Sequence, residues 1–319
     1  MILCCGDALI DMLPVDRPDP VPAWAAHPGG AVFNTAIALG RLGVPVGLMT
    51  GLSTDGFGAM LRDALQRGGV DPALSVTSVR KTTLAFVSLD DGQATYSFHD
   101  AGSALRMLQP DDLPALPATV GALFFGGISL VGEPCGTAFE AVLHRDAGRR
   151  VVMVDPNIRP DFVTDPAAFR ARIDRMIARS HIVKLSDEDL VWLDTEGGPD
   201  RTMAQQMQAI RARGPSLVIV TRGAAGVSAL TGTGTVMEIP ARRVPVVDTV
   251  GAGDTFNAGL LARLHDLGAL SPEALRALPP DALRAALEYG VAASAVVVTR
   301  PGAQPPDRSD LPDPIQQAR

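Results

Sequence analysis

The chain has 319 residues, of which 46% are hydrophobic, enough for the core of one large α/β domain or two small ones. A formal charge of −7 without a basic block argues against nucleic acid as the main partner and against a basic membrane-binding surface. We therefore expect neither nucleic acid nor a membrane among its partners.

The cysteines and the first residues indicate the compartment. Cys4, Cys5 and Cys135 are an odd number without spaced pairs, which indicates a reducing environment and no disulfide framework. The N-terminus lacks the basic region and the long apolar run of a signal peptide. No stretch approaches the roughly 20 apolar residues that a membrane-spanning helix needs. These features predict a cytoplasmic protein.

The first predicted element is an apolar strand over residues 2–10, interrupted by Gly6 and Asp7 and closed by Asp11. Open parallel sheets bind ligands beyond the carboxyl ends of their strands, which puts Asp11 in a position to bind one. The alternative is a solvated Asp at a strand end. Residues 14–28 are rich in Pro and Asp and predict a loop or an edge segment.

A glycine-rich block follows, in which Gly29 and Gly30 precede Asn34 and a helical pattern over residues 35–43. The glycines let the backbone approach a ligand closely. The Asn34 amide offers both a donor and an acceptor to a hydroxyl group. This block is therefore a candidate ligand-binding segment.

A β-hairpin is predicted near residue 90. Its strands cover residues 84–89 and 94–99, its turn covers residues 90–93, and Tyr96 and Phe98 lie on one face. A lone hairpin is only marginally stable in water. We therefore expect it to cover a ligand or to pair with another protomer.

Strand and helix patterns alternate through most of the chain. Further apolar strand patterns occupy residues 44–50, 122–125, 151–154, 182–185 and 217–220. Helical patterns lie between them at residues 54–68, 136–147, 166–179 and 201–213. This order predicts a parallel sheet with helices on both faces. The pattern closes with a hairpin over residues 227–230 and 236–239, a helix to about residue 267, and a helix from about residue 283 that gives way at residues 296–298.

Polar residues follow three of the later strands. Arg159 could present a planar donor fork to a phosphate or a substrate, the alternative being a salt-bridged structural role. Lys184, Ser186 and Asp189 come at the end of the next strand. A turn with three polar or glycine positions follows the strand after that: Thr221, Gly223 and Gly226.

The most informative stretch begins where an apolar, β-prone segment ends at Asp248. Three small residues then precede a pattern typical of a buried helix: Gly251, Ala252 and Gly253. Amides at a helix start are unpaired and carry partial positive charge, so an anion can approach these residues. Asp254 places a carboxylate beside that anion, as expected of a base for a nucleophile that attacks a phosphoryl group. The alternative is an ordinary strand-to-helix turn with an N-cap Asp.

Two motifs carry a family resemblance. The residues from Asp248 to Phe256 have the pattern D-T-x-G-A-G-D-x-F, and the block that starts at Gly29 has G-G-x-x-x-N-x-A, followed by L-x-x-L-G and D-x-x-G. Both resemble the signatures of the PfkB (ribokinase-like) carbohydrate kinases. The resemblance implies a single kinase domain over residues 1–319 with a three-layer α/β fold, in which helices cover both faces of a mostly parallel central sheet. It also implies a small β-lid, inserted at about residues 12–28 and 80–102, that covers the sugar and mediates a homodimer.

The resemblance implies roles for the residues named above. Asp254 is expected to take the proton from a primary sugar hydroxyl, and the amides of residues 251–253 to stabilise the phosphoryl group in transfer. The expected sugar contacts are Asp11, Gly30, Asn34, Phe98, Asp100 and Arg159. Phe98 would stack on the sugar ring or, alternatively, belong only to the hairpin core. The expected nucleotide contacts are Lys184, Ser186, Thr221, Gly223 and Gly226.

ATP is the expected co-substrate, and Mg²⁺ is expected because phosphoryl transfer requires charge neutralisation on the phosphate oxygens. Family members usually carry N-x-x-E where this chain has Ser186 and Asp189. Asp189 is therefore expected to organise Mg²⁺ through water, with Glu188 as the alternative. The resemblance also implies a K⁺ site built mainly from carbonyl groups, at Asp248, Val250, Val297, Arg300 and Gly302.

Within the family the chain is most similar to fructokinases, which implies fructose as the acceptor. One position departs from their pattern, because Asp100 stands where an Arg is usual. An Asp would repel a carboxylate substrate, which argues against 2-keto-3-deoxygluconate, and could bond the hydroxyls of a neutral sugar. Ribose or a nucleoside is an alternative, although an aromatic content of 4% argues against a nucleoside-stacking pocket.

Two other functions compete with a kinase. A non-catalytic sugar or nucleotide sensor on the same fold has no need of the intact G-A-G-D motif. An NAD-dependent dehydrogenase would suit the βαβ order, but the chain has no early G-x-G-x-x-G with an Asp about 20 residues further on. A carbohydrate kinase, most similar to fructokinases, is the prediction.

Overall fold

The computed structural model describes residues 1–15, 21–90, 93–194 and 201–312, and for residues 88–90 and 93–96 it describes the backbone alone. The strands are β1 (Ile2–Gly6), β2 (Leu9–Pro14), β3 (Trp24–Gly29), β4 (Val46–Met49), β5 (Gly51–Ser53), β6 (Val70–Asp71), β7 (Val76–Ser78), β8 (Leu84–Asp90), β9 (Gln93–His99), β10 (Ala122–Gly126), β11 (Val151–Asp155), β12 (Ile182–Ser186), β13 (Leu217–Thr221), β14 (Val227–Thr231) and β15 (Val236–Ile239). The helices are α1 (Ala31–Arg41), α2 (Gly56–Arg67), α3 (Cys135–Asp146), α4 (Pro166–Ile177), α5 (Asp187–Leu193), α6 (Met203–Ala212), α7 (Ala252–Asp266), α8 (Pro272–Arg276) and α9 (Pro280–Val297).

The main sheet is nine-stranded within the described residues and has the order β15-β14-β13-β12-β11-β10-β1-β4-β6. Neighbouring strands from β6 to β13 are parallel, whereas β14 and β15 are antiparallel. Successive residues of one strand enter different core clusters, as Cys4 and Cys5 of β1 do. Both faces of the sheet are therefore buried under helices. The predicted three-layer α/β fold is confirmed.

A second, four-stranded sheet with the order β3-β2-β8-β9 forms the lid. Strand β2 runs antiparallel to β3 and parallel to β8, and β8 pairs with β9 as a hairpin. The ring of Trp24 on β3 packs edge-on against Phe86 on β8, with centroids 5.7 Å apart. The predicted hairpin is thus one half of a larger sheet, although its turn residues Asp91 and Gly92 and the side chain of Tyr96 lie outside the described residues.

Two of three sequence predictions near the N-terminus were wrong. Residues 2–10 form two strands, because Asp7 after β1 turns its carboxylate to the first amides of α1, and β2 then joins the lid. Asp11 consequently lies inside a lid strand and not at the end of a main-sheet strand. Residues 14–28, predicted as a loop or edge segment, include β3, which pairs with β2 as an edge strand of the lid sheet, so the prediction of an edge segment is confirmed.

Two predictions near the C-terminus also need correction. The apolar segment before Asp248 forms no strand, and Val246 and Val247 are 64% and 62% exposed. The Val247 amide donates to the carbonyl of Val298, so the end of α9 and not a sheet edge holds this segment. Helix α9 begins at Pro280 and includes residues 296 and 297.

In the part of the chain that the structure describes, no helix combines the length and the apolar character needed to cross a membrane.

Candidate active site

A cavity of about 280 Å³ lies between the lid and the carboxyl ends of the main-sheet strands. The lid contributes Leu9, Asp11 and Phe98 to its wall. The main body contributes Asp7, Gly30, Ala31, Asn34, Gly127, Ile128, Asp155, Asn157, Arg159, Phe162, Lys184, Thr249, Val250, Gly251, Ala252, Gly253 and Asp254. The cavity thus brings together residues from both sequence motifs, which are more than 200 positions apart.

The start of α7 forms one end of this cavity. Gly251, at φ 76°, is the N-cap, and a Cβ there would lie 2.9 Å from the Cβ of Ala303, so the turn requires glycine. The Ala252 amide donates to the carbonyl of Thr249 at 3.2 Å. Among the described residues no group accepts from the amides of Gly251 and Gly253. These two amides, and less so that of Ala252, can bind an anion.

Asp254 follows these amides and is buried, with 8% of its surface exposed. Burial raises its pKa to about 7 and outweighs the opposing hydrogen bond from Asn34, while the carboxylates of Asp155 and Asp7 add smaller upward effects. That bond, from Asn34 Nδ2 to Asp254 Oδ2, is 3.0 Å long. A carboxyl group that titrates near neutral pH is suited to accept a proton in catalysis.

A buried ion pair lies directly beneath the glycine loop. Lys184 Nζ is 3.0 Å from Asp155 Oδ2, which also accepts from Asn257 Nδ2 at 2.7 Å. Burial alone would lower the pKa of Lys184, but the Asp155 carboxylate and other acidic neighbours outweigh it and raise the pKa. A Cβ on Gly253 would lie 3.2 Å from Lys184 Nζ. A fixed positive charge therefore stands behind the anion-binding amides.

Five of the six predicted sugar contacts line the same cavity. They are Asp11, Gly30, Asn34, Phe98 and Arg159. Asp11 is half-buried, so the alternative of a solvated Asp at a strand end does not apply. Burial raises the pKa of Asp11 to about 6, with a smaller contribution from the carboxylate of Asp7.

Asp100 is the sixth and does not line the cavity. Its Oδ2 lies 2.6 Å from Arg106 Nη1, and Arg106 Nε donates to the carbonyl of Glu133. The expectation that Asp100 bonds a sugar hydroxyl is therefore corrected, because this carboxylate is engaged by an arginine at the base of the lid. The departure from the usual Arg is a structural feature at the end of β9.

Several residues of the cavity wall were not among the predicted site residues, and Asp7 and Phe162 are two of them. Asp7 accepts hydrogen bonds from the amides of Ala31 and Val32 at 3.0 and 3.2 Å, and burial raises its pKa to about 6 despite those bonds. Its position directly after β1 was the available signal, since ligands bind at strand ends. Asn157 follows β11 two positions before the predicted contact Arg159, so a strand end was again the signal, whereas Phe162 lies further into the same loop and no motif marks it.

A second cavity, of about 440 Å³, adjoins the first and shares Thr249, Ala252 and Gly253 with it. Three predicted nucleotide contacts line it: Thr221, Gly223 and Gly226. The other lining residues are mostly apolar or arginine: Ala224, Val227, Ala241, Arg242, Arg243, Val244, Val246, Phe256, Val291, Ser294, Ala295 and Val298. This apolar space opens onto the anion-binding amides.

Two other predicted nucleotide or metal residues serve as a helix cap. Ser186 Oγ accepts from the Asp189 amide at 3.0 Å, and Asp189 Oδ2 accepts from the Ser186 amide at 2.9 Å. Asp189 Oδ1 accepts from the Ile158 amide at 2.8 Å. Neither residue lines either cavity, nor does the exposed alternative Glu188. Burial raises the pKa of Asp189, with a further rise from Asp155.

The predicted cation loops lie side by side. Asp248 Oδ1 accepts from the Val250 amide at 3.0 Å, and Oδ2 accepts from the Gly302 amide at 2.8 Å. Val297 is buried at the end of α9, and the Arg300 side chain pairs with Asp310. Over the described residues, no group of three or more acidic, histidine or cysteine side chains could hold a metal ion.

Comparisons with known proteins agree with this geometry. A family model described as pfkB family carbohydrate kinase matches residues 1–310. The chain is 48% identical over 284 residues to a fructokinase of Rhizobium leguminosarum bv. trifolii, covering 89% of this chain and 86% of the relative. The structure of the present chain resembles that of the ATP-bound fructokinase of Xylella fastidiosa, with a TM-score of 0.86 and 28% identity. The match covers 99% of this chain and 98% of the Xylella chain.

A double mutant of the fructokinase of Vibrio cholerae O395, solved with fructose, ADP and potassium ion bound, is also similar. The TM-score is 0.80 at 26% identity, with 95% of this chain and 93% of that chain covered.

Proposed function

Because the chain belongs to the pfkB family of carbohydrate kinases, we propose that it transfers the γ-phosphoryl group of ATP to a primary hydroxyl of fructose. The observation that carries this proposal is the position of Asp254. It lines the smaller cavity directly after Ala252 and Gly253, which line both cavities, and its pKa is raised to about 7 by burial beside the free amides of Gly251 and Gly253. The relatives named fructokinase support fructose as the acceptor.

The proposed reaction is a direct transfer. Fructose occupies the smaller cavity, and ATP occupies the larger one with its phosphates directed to the start of α7. Asp254 takes the proton of the attacking hydroxyl as that oxygen bonds to the γ-phosphorus. The bond from that phosphorus to the bridging oxygen of ADP breaks, and ADP leaves. Asp254 then carries the proton and later loses it to solvent.

Two kinds of positive group stabilise the charge on the transferring group. The amides of Gly251 and Gly253 point at it, and the ammonium group of Lys184 lies behind them. The Asp155 carboxylate holds Lys184 in place and is itself held by a hydrogen bond from the Asn257 amide. Donors fixed in this way need no reorganisation when negative charge develops.

Mg²⁺ is proposed as the divalent ion that accompanies ATP. Both carboxylate oxygens of Asp189 accept backbone amides, which leaves this residue only a water-mediated role. The ion would be held chiefly by phosphate oxygens and water, as is common for Mg²⁺ in such sites. When bound, it would neutralise charge on the β- and γ-phosphate oxygens.

K⁺ is proposed at the paired loops that contain Asp248 and Gly302. The hydrogen bonds of Asp248 to both loops support this, since they hold neighbouring backbone carbonyls in one place. The potassium ion in the Vibrio fructokinase structure also supports it. Val250, Val297 and Arg300 would contribute carbonyl oxygens.

A homodimer through the lid and a cytoplasmic location are also proposed. Trp24 is 43% exposed on strand β3, at one edge of the lid sheet, where a second copy could bury it. The three cysteines are buried and unpaired, in keeping with a reducing compartment. Sedimentation of the wild type and of Trp24→Glu would test the dimer.

ADP release in a coupled assay tests the proposed function. The acceptors are fructose, ribose, 2-keto-3-deoxygluconate and a nucleoside, each with and without K⁺. We expect fructose to give the highest kcat/KM. Preference for another acceptor would refute fructose while keeping a kinase, and ligand binding without turnover on any acceptor would favour a sensor.

A further inference from the structure

One contact joins the lid to the main body across the smaller cavity. The rings of Phe98 on β9 and Phe162 after β11 have centroids 4.5 Å apart and an interplanar angle of 69°. This is an edge-to-face pair. Both residues are half-buried and both line the cavity, so the contact is part of its wall.

The loop that carries Phe162 has an uncommon backbone. Asn157 has φ 43°, and it is the one non-glycine residue with positive φ among those described. Its amide donates to Asp155 Oδ1 at 3.2 Å, and the Phe162 amide donates to the carbonyl of Arg159 at 3.0 Å. Strained backbone of this kind is retained where a site requires it. Here it lies between the end of β11 and the turn at residues 160–162, from which the Phe162 ring contacts the lid.

The cavity that the two rings close is small. Its volume of about 280 Å³ lies just below the range of roughly 300–1,000 Å³ that is usual for small-molecule sites. Apart from the two rings, polar groups dominate the wall, among them Asp11, Asn34 and Arg159. An apolar pair facing polar groups suits a ligand with one apolar face and several hydroxyls.

We propose that Phe98 and Phe162 act as one closing wall that restricts the acceptor to a single small sugar ring and keeps water away from Asp254. This inference rests on the proposed function. Phe162 is then a specificity-determining residue contributed by the main body, and Phe98 is its partner from the lid. Water that enters instead of the sugar would lose its proton to Asp254 and take the phosphoryl group from ATP, which yields ADP and phosphate.

The test uses Phe98→Leu, Phe162→Leu and the double variant. Phe57→Leu is the matched control, because Phe57 is also half-buried but lines neither cavity. Three quantities are measured: KM for fructose, ADP release without a sugar relative to that with fructose, and phosphorylation of a nucleoside. Hydrogen exchange of the β9 amides in the ligand-free protein is a fourth measurement that needs no substrate.

Each single variant is expected to raise KM for fructose about tenfold. ADP release without a sugar should rise relative to ADP release with fructose. The rate of nucleoside phosphorylation should rise relative to that of fructose phosphorylation, and the β9 amides should exchange faster. The double variant should be little worse than either single variant, since one contact is lost in all three. The control should match the wild type.

The proposal would be overturned if the rise in KM for fructose in the double variant equalled the product of the rises in the two single variants. A Phe162→Leu enzyme with wild-type KM, hydrolysis and lid exchange would also overturn it. If the wild type prefers another acceptor, fructose is the wrong substrate. The role of Phe98 and Phe162 is then decided by two measurements: ADP release without a sugar relative to that with the preferred acceptor, and hydrogen exchange of the β9 amides.

Discussion

Asn34 Nδ2 donates a hydrogen bond of 3.0 Å to Asp254 Oδ2, across 220 positions of sequence. The bond joins the glycine-rich block near the N-terminus to the G-A-G-D loop near the C-terminus. Because Asn34 also lines the smaller cavity, its amide contacts the proposed base and faces the proposed position of the sugar. Recognition of the acceptor and activation of its hydroxyl are thereby coupled in this account.

The pH dependence of the wild type follows from the burial of Asp254. Burial raises its pKa to about 7, and only the ionised form accepts a proton. We expect kcat/KM for fructose to fall as pH decreases below about 7 and to reach a plateau above it. Initial rates between pH 5.5 and 9, with ATP saturating, measure this fall on the acidic side of the pH profile. A profile that stays flat down to the low end would remove Asp254 as the titrating base.

Replacement of Asn34 by Ala should shift the pH at which kcat/KM for fructose falls. The Asn34 hydrogen bond lowers the pKa of Asp254, so its loss raises the pKa and moves the midpoint of kcat/KM to higher pH. KM for fructose should also rise, because a hydroxyl partner is lost. Asn34→Gln, which keeps an amide donor, should shift the midpoint less. An unchanged midpoint in the Ala variant would show that the bond does not tune the base.

Asp254→Asn should be more stable than the wild type at pH 8. The pKa of Asp254 is higher in the folded protein than its usual value of 3.8, so the folded state loses stability as pH rises through about 7. An amide removes this cost of a buried charge. We expect Tm to rise by roughly 2 °C or more at pH 8 and by less at pH 5. A gain equal at both pH values would contradict this origin.

Asp100→Asn should change stability more than catalysis. Asp100 pairs with Arg106 outside the cavity, and their side chains are 28% and 35% exposed. Such a pair contributes about 0.2–1 kcal/mol, and this modest loss is the expected change in the free energy of unfolding. KM for fructose should stay near the wild-type value. Arg106→Gln serves as the matched partner variant, and a large rise in KM confined to Asp100→Asn would restore its role as a sugar contact.

Much of the fold could be predicted from the sequence because the signals are local. Strands such as β11 and β12 are short apolar runs, and helices such as α6 start with a Thr cap at Thr202. Strand β3 could not be found in this way. After Trp24 its sequence of Ala, Ala, His, Pro and Gly has low strand propensity, and its pairing with β2 makes it a strand.

The residues of the candidate site can be divided in the same way, into those that a local sequence motif marks and those that it does not. Asp254, Gly251 and Asn34 lie in motifs whose spacing marks them, and the structure brings them together in one cavity. Phe162 has no such signal, because its place depends on the left-handed turn at Asn157 and on the position of the lid. The partner of Asp100 was equally hidden, since an ion pair at the base of the lid leaves no pattern in one sequence.

Turnover of Asp254→Asn with fructose and ATP at pH 8 tests the central claim most directly. We predict that kcat falls by roughly 10²–10⁴-fold relative to the wild type, while the Kd for ATP stays close to the wild-type value. The loss should follow from the missing proton acceptor alone, because the Asn side chain keeps the shape of the site. Near-normal turnover in this variant, with a fold and an ATP affinity like those of the wild type, would contradict the account.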